Sequence, residues 1–259
     1  MTSSEVTLST SEGRIYVKTW NSNKGAESEK APIVLFHDSL GSVRLWRSFP
    51  EHLAEATGRT VIAYDRLGFG QSDAHPGTLN KRFILEEAEA TFDAVRQALN
   101  IHQFIAFGHS VGGAMAAACA AHYPDDCLAL ITESAQAFVE DRTVAGIEDA
   151  KVAFAEEGQV DRLARYHGDK AGWVLSAWID TWLSEDFQDW RLDETLKQVH
   201  CPVLAIHGDD DEFGSPIHAE RYTELPEGPA TLKLLKGCGH VPHREQEEDV
   251  LEVVREFLG

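Results

Sequence analysis

An α/β fold around a mostly parallel central sheet is what this sequence predicts, and three observations carry it. Short apolar runs recur at residues 32–36, 60–64, 104–107, 128–131, 203–206 and 232–235, and most are apolar without interruption, as strands buried on both faces require. Stretches with helical spacing, at 46–56, 83–99, 112–122, 217–223 and 247–258, alternate with them, which points to parallel strands joined by helical crossovers with helices on both faces. The beginning differs: residues 6–9 and 15–20 alternate in period two around Ser11-Glu12-Gly13, which predicts an antiparallel hairpin at a sheet edge. Residues 21–30 read as a polar, mobile loop.

The rhythm breaks once. Between Ser134 and Val199 roughly sixty residues carry helical spacing and no convincing strand, and so long an excursion is expected to be a functional insertion. The division that follows is a core of residues 1–134 and 200–259 with a helical lid at 135–199. That insertion holds four of the six tryptophans. Trp178 and Trp182 stand at i,i+4 spacing beside Leu175, Ile179 and Leu183, so one face is bulky and apolar. These rings either pack the insertion onto the core or line an apolar pocket; on the second reading Phe138, Trp173, Leu175, Trp178 and Trp182 are its walls, and removing the two ring side chains shifts chain-length preference more than stability.

Composition excludes several classes. The chain has 259 residues, 43% of them hydrophobic and 25% charged, the range of an ordinary globular protein. Lys plus Arg is 23 against 43 Asp plus Glu, a formal charge of −20, which disfavours nucleic acid and anionic membrane surfaces as partners. No apolar run reaches the roughly 18 to 20 residues that span a bilayer. Met1-Thr2-Ser3-Ser4-Glu5 lacks the basic and apolar regions of a secretory signal, so a cytoplasmic protein is expected. Cys119, Cys127, Cys201 and Cys238 lie far apart without Cys-x-x-Cys spacing and read as reduced, buried thiols. No histidine spacing suits a metal, and no cofactor is called for.

The chemistry centres on Gly108-His109-Ser110-Val111-Gly112, where a buried strand runs straight into an Ala-rich helix. Glycines flanking a sharp strand-to-helix turn permit a strained serine whose hydroxyl is exposed, at a helix N-terminus that favours developing negative charge. A serine hydroxyl needs a base, and the base needs an orienting carboxylate. Both follow in order: His207-Gly208-Asp209-Asp210-Asp211-Glu212 closes one strand, and Lys236-Gly237-Cys238-Gly239-His240 closes the next. Strand C-terminal ends are where such sheets place catalytic groups.

Over nearly its whole length the chain resembles the α/β-hydrolases. Besides the serine turn, Leu35-Phe36-His37-Asp38-Ser39-Leu40-Gly41-Ser42 resembles the family's oxyanion loop, and Asp65-Arg66-Leu67-Gly68-Phe69-Gly70-Gln71-Ser72 resembles its Asp-x-x-Gly-x-Gly-x-Ser turn. The resemblance implies Ser110 as nucleophile, His240 as base and Asp211 as orienting acid, with Asp209, Asp210 and then Glu133 as fallback acids. It implies the backbone N–H groups of Ser39 and Val111 as oxyanion donors. His109 is a candidate pocket residue as well as a structural one; His37, His207 and His243 are expected to be structural or solvent-facing. One departure is Asp38, where the family has glycine; if the backbone there has positive φ, Asp is among the residues that tolerate it.

The function these features imply is a serine hydrolase of a small, neutral carboxylic ester. Within the fold, hydrolysis of a carbon–carbon bond in a diketone or of a lactone is the alternative, with thioesters and acyl transfer as further options. A ligand-binding receptor with little turnover is the alternative of another class. The acid turn and Asp38 add a charge expectation: neutral or cationic substrates over anionic ones, with the gap shrinking in salt.

Overall fold

The computed structural model describes residues 2–22 and 30–259; most of the 21–30 loop, residues 23–29, therefore lies outside the described residues. The N-terminal hairpin is β1 (Thr2–Ser9) and β2 (Arg14–Asn21), antiparallel and turning where Gly13 takes a φ of 147°. Then follow β3 (Ile33–Phe36), α1 (Phe49–Thr57), β4 (Val61–Tyr64), α2 (Phe83–Glu89), α3 (Thr91–Ala98), β5 (Phe104–His109), α4 (Val111–His122) and β6 (Cys127–Glu133). The insertion carries α5 (Asp141–Phe154), α6 (Gln159–His167), α7 (Ala171–Trp182) and α8 (Asp193–Leu196). The chain closes with β7 (Val203–Gly208), α9 (Ile217–Glu224), β8 (Ala230–Leu235), α10 (Pro242–Glu245) and α11 (Glu247–Leu258).

Among the described residues the sheet has eight strands in the order β1-β2-β4-β3-β5-β6-β7-β8. β1 and β2 pair antiparallel, β2 pairs antiparallel with β4, and every later neighbour is parallel. This is the α/β-hydrolase arrangement the sequence predicts. Alternate residues of the central strands feed two separate cores. Val34, Phe36, Ala106, Leu130, Val203 and Ala205 pack towards α2, α3, α4 and α9, while Ile33, Leu35, Ile105, Phe107, Ile131 and Leu204 pack towards α1 and α11. Period two along a doubly covered strand thus reads as one continuous apolar run. β8 is at an edge, so Leu232 and Leu234 stay exposed despite being apolar.

Two differences from the sequence reading are local. The helix predicted at 83–99 breaks at Ala90, whose φ of −122° and ψ of −87° leave the helical region; the apolar spacing of Ile84, Ala88, Phe92 and Val95 runs through the break, which hides it from periodicity. The helix predicted at 46–56 is a 3₁₀ turn, Val43–Trp46, followed by α1 with Pro50 in its first turn, where a missing N–H costs nothing. The four cysteines are buried and free. Among the described residues no helix is long and apolar enough to cross a membrane.

Candidate active site

Five neighbouring strand ends converge. Ser39 follows β3, Ser110 follows β5, Gln136 follows β6, Asp211 follows β7 and His240 follows β8, so the parallel part of the sheet delivers all five to its C-terminal edge. The serine turn is as tight as its glycines suggest. Ser110 has φ 57° and ψ −128°, a conformation costly for a residue with a side chain. A Cβ on Gly108 would lie 2.1 Å from the Gly112 carbonyl oxygen, and one on Gly112 would lie 2.1 Å from that of Phe36. Helix α4 can approach β3 and β5 this closely only where those side chains are missing.

Ser110 Oγ lies 3.0 Å from His240 Nε2, and His240 Nδ1 lies 2.9 Å from both carboxylate oxygens of Asp211. Asp211 Oδ1 also accepts the backbone N–H groups of Phe213, at 2.8 Å, and Gly214, at 3.2 Å. Burial pushes the Asp211 carboxyl upward, but the hydrogen bond and charge of His240 and the Phe213 N–H outweigh it and hold it below the ordinary range. For His240, burial pulls downward, yet the bond to Asp211 and the charges of Asp211, Glu212 and Asp38 raise it above an ordinary imidazole. The fallback acids are occupied elsewhere. Asp209 Oδ1 accepts the Gly237 N–H at 2.7 Å, Asp210 is exposed, and buried Glu133 is bound at 2.5 Å to Nδ1 of His243.

The remaining histidines are buried and framing. His109 Nε2 donates to the His240 carbonyl at 2.8 Å, and burial together with the neighbouring His243 lowers it to about 4, so it is neutral. His207 Nε2 donates to the Gly214 carbonyl at 3.1 Å, behind Asp211. His37 Nδ1 donates to the Asp38 carbonyl at 2.9 Å. None of the three, nor His243, is solvent-facing.

A cavity of about 240 Å³ opens onto Ser110 and His240. Of the predicted pocket residues, His109, Trp178 and Trp182 line it; Phe138, Trp173 and Leu175 do not. Phe138 stacks on His218 at 4.3 Å, which turns it away. Trp173 lies against His75 and donates its indole N–H to the Gly77 carbonyl at 2.7 Å. Leu175 packs among core residues beside α6. The far wall is instead α5, through Thr143, Ile147, Ala150 and Phe154. Helical spacing showed which face of the insertion was apolar; which rings on that face meet the cavity depends on the angle between α5 and α7, which spacing does not encode. A groove of about 840 Å³ between the N-terminal hairpin and α2 and α3 has none of Ser110, Asp211 and His240 in its walls.

Sequence reasoning missed Gln136. Buried, it sets Oε1 3.2 Å from Ser110 Oγ. The hydroxyl has one proton and donates to one of these acceptors at a time. The available signal was its place three residues beyond the β6 terminus, next to the nucleophile strand. At Asp38 the positive φ that the sequence left as a condition does not arise. The described non-glycine residues with positive φ are Arg47, Asn100, Ser110 and Ser134, so Asp38 fits in ordinary backbone. Burial raises its carboxyl, but the charges of His109, His37, Arg244 and His240 outweigh this and keep it below the usual range, hence ionised at neutral pH. Asp38 and Glu212 both line the cavity. The N–H groups of Ser39 and Val111 donate to no group among the described residues.

A family model of the alpha/beta hydrolase fold matches residues 31–178, more than half the chain. Over 273 aligned residues the chain is 25% identical to a proline iminopeptidase of Lactobacillus delbrueckii subsp. bulgaricus, with 90% of this chain and 92% of that one covered. Among solved structures, a proline iminopeptidase of Mycobacterium smegmatis superposes with a TM-score of 0.72 at 21% identity, over 98% of this chain and 97% of that one. A membrane phospholipase A described as a bacterial virulence factor gives 0.78 at 20% identity, over 99% and 86%. At such identities the structural likeness concerns the fold.

Proposed function

Because the chain belongs to the alpha/beta hydrolase fold family, we propose that it is a serine hydrolase cleaving a small carboxylic ester through an acyl-enzyme on Ser110. The observation that carries the reading is the unbroken chain from Ser110 Oγ to His240 Nε2 at 3.0 Å and from His240 Nδ1 to Asp211 at 2.9 Å. Asp211 keeps the Nδ1–H tautomer, so Nε2 is free to take the serine proton as Oγ attacks the carbonyl carbon. The Ser39 and Val111 N–H groups receive the oxyanion. Collapse expels the alcohol, which takes the proton from His240; a water then gives its proton to His240, attacks the acyl carbon and restores Ser110. Residues 135–199 act as a lid, α5 and α7 supplying the apolar wall. The 240 Å³ of the cavity supports a small acyl group.

A second reading is favoured by a specific pair of observations. The relatives named as proline iminopeptidases suggest amide cleavage at an N-terminal prolyl residue, and Asp38 and Glu212 place carboxylates where such a substrate's ammonium group could sit. One panel separates the readings: p-nitrophenyl acetate and butyrate, a choline ester, a succinyl monoester and prolyl-p-nitroanilide, each at low and high salt. The ester reading expects acetate and butyrate turnover with stoichiometric phosphonate labelling of the chain, and the succinyl monoester slowest, its deficit shrinking in salt. Turnover confined to prolyl-p-nitroanilide replaces it with the peptidase reading. No turnover, with ligand-dependent thermal stabilisation, favours a receptor.

The two cavity tryptophans are expected to respond differently. Trp182 is buried against Phe187 and Trp190, at 5.1 and 5.6 Å between ring centroids, so Trp182→Ala costs about 3 to 5 kcal/mol of stability. Trp178 is only half-buried, with Phe213 as its ring partner at 5.8 Å. Trp178→Ala will shift preference towards longer acyl chains and lower the melting temperature far less. Hydrolysis rates from acetate to octanoate, read beside melting curves, check this; an unchanged chain-length profile assigns Trp178 to packing alone.

A further inference from the structure

Arg66 lies in the turn after β4 and is only 6% exposed. Its Nη2 donates to the Asp38 carbonyl at 2.8 Å, its Nε donates to His37 Nε2 at 3.3 Å, and its Nη1 points at Met115 Sδ. Its hydrogen-bond partners are all neutral; burial disfavours the guanidinium, and the charges of Glu87, Asp38 and Asp65 offset part of that cost without touching it. The Phe69 ring, 4.5 Å from the guanidinium carbon, offsets part of that cost.

What the cation holds explains why it is there. The Asp38 carbonyl belongs to the same peptide unit as the Ser39 N–H. A peptide is planar, so fixing the direction of its C=O fixes the opposed direction of its N–H. His37 and, at 3.1 Å, the Gly41 N–H donate to that carbonyl oxygen too, so it has three donors, of which Arg66 alone is a permanent cation. Drawing electron density towards the carbonyl also makes the N–H on the far side a better donor. Ser39 and Ser110 both line the 240 Å³ cavity, the side from which a substrate carbonyl reaches the nucleophile.

We propose that Arg66 is a positioning residue of the oxyanion site, clamping and polarising the Asp38–Ser39 peptide so that the Ser39 N–H meets the negative oxygen of the tetrahedral intermediate. The assignment rests on the serine-hydrolase reading. It goes beyond it by making the donor strength of the oxyanion loop depend on a cation that touches no substrate. An outer partner of a reacting group is worth about 10- to 100-fold, less than the 10² to 10³ of a direct donor.

The test compares the parent with Arg66→Met and Arg66→Lys on p-nitrophenyl acetate, with inhibition by a phenylboronic acid that forms a tetrahedral adduct on serine. Met keeps much of the apolar stem without donors; Lys keeps the charge but loses the planar fork that serves two acceptors. Arg66→Met is expected to lower kcat about 10- to 100-fold with KM within about twofold, and to weaken boronic acid binding by a matching factor. Arg66→Lys is expected to lose about tenfold in both. A role in packing alone would lower the melting temperature without this paired loss. A kcat within twofold of the parent in a folded variant, or a loss confined to KM, overturns the proposal, and Arg66→Lys decides if Arg66→Met does not fold. A parent that neither turns over esters nor takes a phosphonate label refutes the underlying reading; an active parent with unaffected variants refutes the role of Arg66 alone.

Discussion

Ser110→Ala will lower kcat on p-nitrophenyl acetate by about 10⁴ to 10⁶-fold and abolish phosphonate labelling, while KM and the melting temperature change little. The size follows from chemistry: without Oγ there is no acyl-enzyme, and only the oxyanion amides and the cavity remain to assist water. The structural effect is small because the serine side chain packs against no core ring; its contacts are His240 Nε2 and Gln136 Oε1. Alanine keeps a Cβ, so the strained φ of 57° persists and is neither relieved nor worsened. Labelling that survives in Ser110→Ala, or a loss of activity matched by a loss of fold, would remove Ser110 from the mechanism.

The strands were legible because this sheet is covered on both faces. A run such as Ile33-Val34-Leu35-Phe36 sends alternate side chains into two different cores, so nothing interrupts its apolarity. The exposed edges were read less well. β8 begins at Ala230 rather than at the first leucine, since an edge strand needs only one apolar face. Strand order is a different matter: β4 sits between β2 and β3, and composition holds no record of that.

At the site, residues constrained by backbone geometry were the ones a sequence could reveal. Gly108 and Gly112 are demanded by carbonyls that would stand 2.1 Å from any Cβ, and they bracket Ser110 in a pattern recognisable without coordinates. Asp211 and His240 follow strand ends at fixed places in the same pattern. The α5 wall obeys no such constraint. Its presence at the cavity is set by how the insertion folds back, a matter of crossing angles among α5, α7 and the sheet, whereas Gln136 and Glu212 follow the ends of β6 and β7. For Asp38 the sequence left the backbone conformation open: glycine in the family fits either sign of φ, and here the side chain turns into the cavity from ordinary backbone.

Asp211→Asn is expected to lower kcat by about 10⁴-fold and to move the acid limb of kcat/KM to lower pH. In the parent, the base must be neutral to take the serine proton, so the rate rises as pH passes through the pKa of His240. Burial alone would put that limb below the roughly 6.5 of a free imidazole, but the hydrogen bond and charge of Asp211 raise it above. Asparagine removes both and leaves the burial, so the residual activity should titrate at lower pH. The loss in rate has a separate cause. The amide can donate to Nδ1, which stabilises the tautomer carrying its proton on Nε2; that nitrogen then faces Ser110 as a donor and cannot accept. Glu133 cannot step in, because its carboxylate is engaged by His243. Stability should move in a defined direction as well. Asp211 titrates below an ordinary carboxyl, so its contribution is present above about pH 4 and lost as pH falls through its lowered value; Asp211→Asn should flatten the acid limb of the stability profile. pH profiles of kcat/KM and of the melting temperature for the two proteins check both shifts. A variant whose acid limb stays in place would mean that another group orients His240.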